Sequence, residues 1–350
     1  MTQRNLAGLL AVPLLLGLWI LAVTVPLPYV TYEPGLTVDV LDDPEGKEII
    51  QVSGAKTYRD EGELRMTTVF VTQPQADVNL FELMGAWFSR DDAVYPYRAV
   101  YTPDDTRESN EVEGAIEMVS SQDAAIAVAL TELGYDVEEA VEVFAVTDGA
   151  PADGRLEKRD VIVAVNGVPT TTTDQVGEAV RSTPQGDDVT LTVVRDGEER
   201  DVTVTPGERE GSPYIGIDML PGYRFPFEVS VGINPNIGGP SAGLMFSLAI
   251  YDTLTPGSLT DGATVAGTGT IDPEGKVGAI GGIQQKIAAA RETGAELFMV
   301  PPDNCPEALD APNDDMQLVR ADTMHDARVA IEAWVDDQGA SLPTCEEAAA

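Results

Sequence analysis

The feature that most constrains this chain is an uncharged apolar run of 20 residues near its N-terminus, residues 6–25, LAGLLAVPLLLGLWILAVTV. A helix of this length is long enough to cross the hydrocarbon core of a bilayer. A cleaved signal peptide would have a shorter apolar core followed by a small-residue cleavage pattern, whereas PLPYVTYEPG follows here. The run therefore predicts a retained transmembrane anchor.

The flanking charges predict how this anchor is oriented. Arg4 precedes the run, and no lysine or arginine follows it before Lys47. The excess of positive charge on the cytoplasmic side of membrane helices places the N-terminus in the cytoplasm and the body of the chain outside it. The cysteines, Cys305 and Cys345, could pair in such an oxidising compartment. Pairing would stabilise the fold by roughly 3–4 kcal/mol, and two unpaired thiols are the alternative.

The composition excludes several classes of function. A formal net charge of −38 argues against nucleic acid or an anionic membrane surface as a partner, because phosphates would be repelled. One histidine and two distant cysteines do not provide a zinc site. The chain also has no GxxxxGK[ST] sequence of the kind that binds ATP phosphates. We therefore expect no metal and no cofactor.

A central segment, residues 123–207, alternates strands and a helix in a characteristic order. A strand, a turn, a second strand and a helix precede two alternating strands joined at Asp196-Gly197, a strong hairpin signal. The order resembles a PDZ domain of the bacterial protease-associated kind, and the matching stretches are APA at 150–152, DVI at 160–162 and VNG at 165–167. Arg159 departs from the family, which usually has glycine there. The resemblance implies binding of an extended peptide at an open sheet edge, near residues 133–137.

The stretch GGPSAGLMFSLAIYD, residues 238–252, raises the question of chemistry. It predicts a buried helix with Pro240 and Ser241 in its first turn, where backbone N–H groups lack partners. Those donors could stabilise an oxyanion, and a helix-capping serine is the plain alternative. A nucleophilic serine needs a base. No motif supports His325 in that role, whereas Lys286 lies in a predicted alanine-rich helix whose burial would lower the lysine pKa.

Three motifs in order make the assignment more specific. GPSAG at 239–243, TGTIDPEGKVGAIGG at 268–282 and IQQKIAAA at 283–290 resemble the proteolytic domain of Lon-type serine proteases. In that family the matching serine attacks and the lysine is the base, which implies these roles for Ser241 and Lys286, with Thr268 contacting the lysine. The chain departs from energy-dependent Lon enzymes in having Gly238 where they carry an aspartate, and in lacking their ATPase.

Together these features predict an α+β multidomain protein: an N-terminal transmembrane helix, a β-rich PDZ-like domain and a Lon-type proteolytic α/β domain. GELRMTTV at 62–69 looks like an early strand of the Lon-like domain, which predicts that the PDZ-like domain is inserted in it. The predicted segments are the tip and anchor (1–30), the first part of the Lon-like domain (31–122), the PDZ-like domain (123–207), the rest of the Lon-like domain (208–340) and a tail (341–350).

The combination resembles a bacterial family of membrane-anchored, ATP-independent Lon-like proteases. This implies cleavage of exported or membrane-associated proteins with PDZ-assisted selection, the Ser241 amide and a Gly238-Gly239 amide holding the oxyanion. Lon-like domains often form rings, so a homo-oligomer is left open. Two alternatives are also open: a PDZ scaffold with an inactive protease-like domain, and a self-processing protein.

Overall fold

The computed structural model describes residues 3–42, 48–209 and 211–348, with the side chains of residues 10–42, 48–209 and 211–346. Among these residues, the chain up to the first strand of the PDZ-like sheet contains α1 (Gln3–Thr24), β1 (Tyr29–Asp39), β2 (Ile50–Ser53), β3 (Glu63–Val71), α2 (Leu80–Phe88), β4 (Ala93–Pro96), α3 (Tyr97–Val100) and α4 (Arg107–Glu132).

The PDZ-like segment and the strands that follow it contain β5 (Glu138–Val146), β6 (Val161–Val165), β7 (Val168–Pro169), α5 (Thr173–Arg181), β8 (Val189–Arg195), β9 (Glu198–Val204), β10 (Gly207–Arg209), β11 (Ser212–Tyr214) and β12 (Ile217–Arg224). The remainder contains β13 (Glu228–Val231), α6 (Gly243–Leu254), β14 (Thr264–Gly267), β15 (Thr270–Ile271), β16 (Val277–Gly278), α7 (Ile283–Glu292), β17 (Leu297–Val300), a 3₁₀ turn (Pro302–Asn304), α8 (Cys305–Ala308), β18 (Gln317–Arg320), α9 (Met324–Asp336) and α10 (Cys345–Ala348).

Helix α1 contains most of the run that was predicted to span a membrane. Within the described residues, no helix combines the length and the apolar character that a membrane crossing requires, so the prediction of a transmembrane helix is not supported. The orientation prediction depends on Arg4 and Lys47, whose side chains lie outside the described ones, as does the end of the predicted tail, residues 349–350.

One mixed six-stranded sheet forms the centre of the Lon-like part, in the order β18-β17-β14-β3-β1-β4. Strands β18, β17, β14 and β3 are parallel neighbours, and β1 runs antiparallel to β3 and β4. Because β1, β3 and β4 precede the PDZ-like segment and β14, β17 and β18 follow it, the sheet joins chain from both sides of that segment.

The two faces of this sheet are covered by different helices. Alternate residues of a strand point to opposite faces, and Leu297 packs with α4, α6 and α9 while Phe298 packs with α7 and α8. Helix α6 is buried all round, as predicted from its apolar sequence. Helix α6, which follows the candidate nucleophile, and helix α7, which carries the candidate base, therefore lie on opposite faces of the sheet.

The PDZ-like segment has its own sheet, in the order β12-β5-β6-β8-β9, with β7 paired to β6. The predicted hairpin at Asp196-Gly197 joins β8 and β9, and both turn residues have positive φ angles. The sheet edge formed by β5 is not open, because β12 pairs antiparallel with β5 along its length. Residues 133–137, predicted to receive a peptide, lead directly into β5.

Candidate active site

The loop before α6 positions Ser241, although not as predicted. Helix α6 begins at Gly243, and its N-cap is Ala242, which makes no side-chain capping bond. Pro240 and Ser241 therefore precede the helix instead of forming its first turn. The Ser241 side chain does not cap α6, so the plain alternative for this serine does not apply.

Lys286 projects from α7, the alanine-rich helix predicted between Gly282 and Gly294. The helix starts after Gly282, whose φ of 71° lies in the left-handed region that glycine adopts readily. Lys286 is only 2% exposed, so it does not extend to solvent as most lysines do. Burial of this ammonium group lowers its pKa to about 7.

The Lys286 amine meets three oxygen atoms. Its Nζ lies 2.8 Å from Ser241 Oγ, 2.9 Å from Thr268 Oγ1 and 3.1 Å from the carbonyl oxygen of Thr67. The first two contacts join the three side chains that the motifs single out. Thr67, on β3, contributes through its backbone, which no residue type in the sequence reveals.

The three oxygens around Nζ can accept the three N–H groups of an ammonium, and the same geometry also serves a neutral amine. Thr268 Oγ1 donates its hydrogen to the Ser241 carbonyl, at 3.0 Å, so it accepts from Nζ. The Thr67 carbonyl can only accept. A neutral amine has two N–H groups for these two oxygens and one lone pair, which is left to accept the Ser241 Oγ hydrogen. This is the arrangement that a general base needs before it activates a nucleophile.

The main chain of Ser241 is fixed from the other side. Its carbonyl oxygen accepts from the Gly269 amide at 2.8 Å as well as from Thr268. Thr268 is fully buried and follows β14 directly. The nucleophile loop is therefore held by the segment that also supplies the lysine partner.

The predicted oxyanion donors are only partly available. The Gly239 amide donates to the Gly114 carbonyl of α4 at 2.9 Å, so this N–H of the predicted Gly238-Gly239 turn is already bonded. Gly238 lies against the same helix, since a Cβ atom there would be 3.2 Å from the Gly114 carbonyl carbon. The aspartate that Lon enzymes carry at this position would meet α4. Among the described residues, no acceptor is bonded to the Ser241 amide.

Helix α4 makes a further contact that the sequence did not suggest. Ser121 is buried, and its Oγ donates to the carbonyl of Pro240 at 2.9 Å. A polar residue on the apolar side of a helix was the available signal. His325, by contrast, is bonded to Glu132 at 2.7 Å and lies beside Arg328, so its contacts do not include the serine.

Cys305 and Cys345 form a disulfide with an S–S distance of 2.06 Å. Cys305 opens α8 and Cys345 opens α10, and both are buried. The bond ties the C-terminal tail to the face of the sheet that contains α7.

Comparisons with known proteins match two parts of the chain. Residues 227–332 match the family model of the Lon protease (S16) C-terminal proteolytic domain, and residues 116–205 match that of the PDZ domain. The first match contains Ser241, Thr268 and Lys286. The resemblance to both domain types, predicted from the motifs, is thereby confirmed, and the chain is a mixed α/β protein with PDZ-like and Lon-like parts.

Curated relatives include several Lon proteases at modest identity. The Lon protease of Xanthomonas oryzae is 30% identical over 35% of this chain and 13% of its own length. The Lon protease of Phenylobacterium zucineum is 27% identical over 64% of this chain and 24% of its own length. The chain thus spans less than a quarter of the length of these relatives. Among solved structures, the PDZ domain of the SdrC-like protein from Listeria innocua is 23% identical over 23% of this chain and 92% of that one, with a TM-score of 0.22.

Proposed function

We propose that this protein is an ATP-independent serine endopeptidase that uses a Ser241/Lys286 dyad. The observation that carries the proposal is the 2.8 Å contact between Ser241 Oγ and the amine of a lysine that is only 2% exposed. Burial gives that lysine a pKa of about 7, so a large fraction is a neutral base at neutral pH. The similarity to the Lon proteolytic domain supports the same reaction class.

The proposed reaction begins when Ser241 Oγ attacks the carbonyl carbon of a peptide bond and its proton passes to Lys286 Nζ. The tetrahedral intermediate collapses when Nζ returns that proton to the leaving amine nitrogen, which leaves an ester on Ser241. Lys286 then takes a proton from water, the hydroxide attacks the ester, and the proton returns to Ser241 Oγ. Thr268 keeps Nζ oriented throughout because it is bonded to both Nζ and the Ser241 carbonyl.

The oxyanion would be stabilised first by the Ser241 amide. A second donor from the Gly239 amide requires its bond to Gly114 to open. Such donors stabilise the transition state more than the ground state, and each is worth roughly 10²–10³ in rate. We propose that substrate lies extended beside the chain before Gly238 and that the PDZ-like part selects it.

The proposed location is a membrane, with the catalytic body outside the cytoplasm. Leu15, Leu16 and Trp19 of α1 and Trp87 and Phe88 of α2 are all exposed, and α1 contacts α2. Exposed apolar side chains on two contacting helices favour a lipid or protein partner. Separation of membrane and soluble fractions, with a protease-accessibility assay on intact cells, tests both parts of this proposal.

Cleavage of an unfolded, fluorescently labelled protein by the purified full chain, with and without ATP, tests the activity. Ser241→Ala and Lys286→Ala should each reduce the rate at least about 10³-fold, and ATP should have no effect. Two matched controls are Ser247→Ala, a buried serine of α6, and Lys276→Ala, an exposed lysine, which should retain activity. Activity that survives in both dyad variants would refute the proposal, and a folded wild type without any activity would favour the scaffold alternative.

A further inference from the structure

The PDZ-like sheet has one edge that is filled by a strand from outside the PDZ match. The match ends at residue 205, and β12, Ile217–Arg224, comes after it. The strands within the match are β5 to β9, so β5 and β9 would be the two edges of this sheet without β12. Strand β12 is paired with β5 from Ile217 opposite Val146 to Arg224 opposite Glu138.

Strand β12 also fills the apolar space beside this edge. Helix α5 packs against β11 and β12. Ile217 and Met219 alternate along β12, and both of them, with Ile215 just before the strand, pack into the cluster that contains Val176 and Val180 of α5. Alternate side chains of an extended peptide point to the same side. The segment therefore occupies the site as an added strand does: backbone bonds to β5 and alternate apolar side chains beneath α5.

The other edge offers no equivalent site. Strand β9 ends the described sheet order, and Glu198, Glu199 and Asp201 place charge along it. Charged edge strands resist the addition of another strand. Of the two edges, only β5 lies beside an apolar pocket, and β12 occupies this edge.

From these contacts we infer that β12 is a resident, displaceable ligand of the PDZ-like part. The β5 edge takes an extended peptide with apolar side chains at alternate positions, and such a peptide binds by displacing β12. Because the resident strand is part of the same chain, it competes at high effective concentration. The apparent affinity for a free peptide is reduced by the fraction of time that the edge is open.

The position of β12 gives this exchange a route to the active site. The chain continues from β12 through β13 and residues 232–240 to Ser241 without another helix. Helix α4, whose Gly114 binds the Gly239 amide, packs against β12 as well. Release of β12 therefore changes the contacts of α4 and of the chain segment that leads to Ser241.

The test uses the full chain with Ser241→Ala, so that the result does not depend on the proposed peptidase activity. The probe is a fluorescein-labelled synthetic peptide with the sequence of residues 212–224, SPYIGIDMLPGYR. The variant Ile217→Ser with Met219→Ser weakens the resident strand. Asp218→Ser is the matched control, because Asp218 is exposed on the same strand. The inference predicts at least tenfold tighter binding to the double variant than to the parent or the control.

A second variant loosens β12 by another route. Gly222 is buried, and a Cβ there would lie 2.9 Å from Glu142 Cβ, so Gly222→Ala opens the pairing while leaving the apolar residues in place. It should bind the probe more tightly as well, and hydrogen exchange should show β5 amides that the peptide protects. A probe peptide with serine at the Ile217 and Met219 positions should not bind. Equal affinity of the parent and of both loosened, folded variants, or no binding by any of them, would overturn the inference.

Discussion

At the scale of single residues, the ionisation of Lys286 decides activity in the proposed mechanism. Its amine acts as a base only when neutral, and burial lowers its pKa to about 7. The fraction of neutral lysine therefore rises as the pH rises through about 7 and is nearly complete one to two units above it. We expect kcat/KM to increase about tenfold per pH unit well below 7 and to level off above it.

This profile is measured with an uncharged fluorogenic peptide between pH 5 and 9, with circular dichroism at each pH as the control for unfolding. A rise of kcat/KM with its midpoint near pH 10, where an ordinary lysine titrates, would contradict a buried neutral base. A kcat/KM that stays constant between pH 5 and 9 would show that Lys286 does not titrate in the free enzyme over this range.

In the proposed mechanism Thr268 acts as a positioning residue, because its hydroxyl is bonded to both Lys286 Nζ and the Ser241 carbonyl. Thr268→Val removes the hydroxyl at similar volume, and we expect kcat to fall about 10²-fold from lost alignment. The apparent pKa should also fall below 7, since the ammonium form loses an acceptor. Thr268→Ser restores the hydroxyl and should recover most of kcat and the original pKa. A purely structural threonine would leave that pKa unchanged.

The sequence identifies the side chains of this site better than its backbone. Ser241, Thr268 and Lys286 are recognisable because each lies in a motif with a fixed order. The Thr67 carbonyl contacts Lys286 Nζ and the Gly114 carbonyl binds the Gly239 amide, but every residue has a carbonyl, and only the fold brings these two into place. For the same reason the capture of the Gly239 amide by α4 was not foreseen.

At the scale of elements, the contact between α4 and the nucleophile loop depends on glycine. A Cβ on Gly238 would meet Gly114 backbone atoms at 3.2–3.3 Å, so Gly238→Ala must displace α4 or the loop. We expect the free energy of unfolding to fall by about 1–3 kcal/mol. Gly281→Ala is the control, because a Cβ there meets nothing within 4 Å, and it should change stability by less than about 0.5 kcal/mol. Urea unfolding of both variants measures the difference, and equal stability would contradict the close packing.

Elements with local signals were predictable, and those paired over long distances were not. The hairpin at Asp196-Gly197 and helix α7 follow from turn residues and composition within a few positions. Strand β12 has no such signal for its partner, because pairing with β5 joins segments that are far apart in sequence. Arg159 has a φ of 76°, the conformation that favours the glycine usual in PDZ domains, and only the fold reveals what its side chain binds.

At the scale of the whole molecule, Arg159 links the PDZ-like sheet to helix α4, which packs against α6 of the Lon-like part. Its guanidinium lies 2.9 Å from Glu142 of β5 and 3.2 Å from Asp123 of α4, and both carboxyl groups are buried. Burial, together with the neighbouring Glu142 carboxyl, raises the pKa of Asp123, which favours its neutral form. Asp123→Asn should therefore change the free energy of unfolding by less than about 1 kcal/mol at pH 7.

Arg159→Ala should cost more, about 1–3 kcal/mol, because it leaves a buried Glu142 carboxylate without its partner. Chemical unfolding at pH 7, followed for both variants, gives the comparison. As the pH rises through the raised pKa of Asp123, the asparagine variant should become the more stable protein, because it avoids a buried charge. The opposite order at high pH would show that the cluster holds both carboxylates ionised.

The disulfide between Cys305 and Cys345 holds the C-terminal tail against an edge of the central sheet of the Lon-like part. Strand β18 is one edge of the central sheet, and the tail lies along it, with the Arg320 amide donating to the Pro343 carbonyl at 3.0 Å and Val319 bridged to Thr344. The bond between Cys305 and Cys345 closes a loop with a sequence separation of 40. Closing such a loop limits the unfolded chain and stabilises the native one by roughly 3–4 kcal/mol.

We therefore expect Cys305→Ser with Cys345→Ser to lose roughly this free energy of unfolding in urea. Wild type in dithiothreitol should lose a similar amount, whereas dithiothreitol should not change the double variant, which is the control for other effects of the reductant. Because the tail is then held only by backbone bonds, the Val319 and Arg320 amides should also exchange with solvent faster than those of β14, at the centre of the sheet. A loss below about 1 kcal/mol with unchanged exchange at β18 would mean that backbone bonds and packing alone hold the tail on this edge.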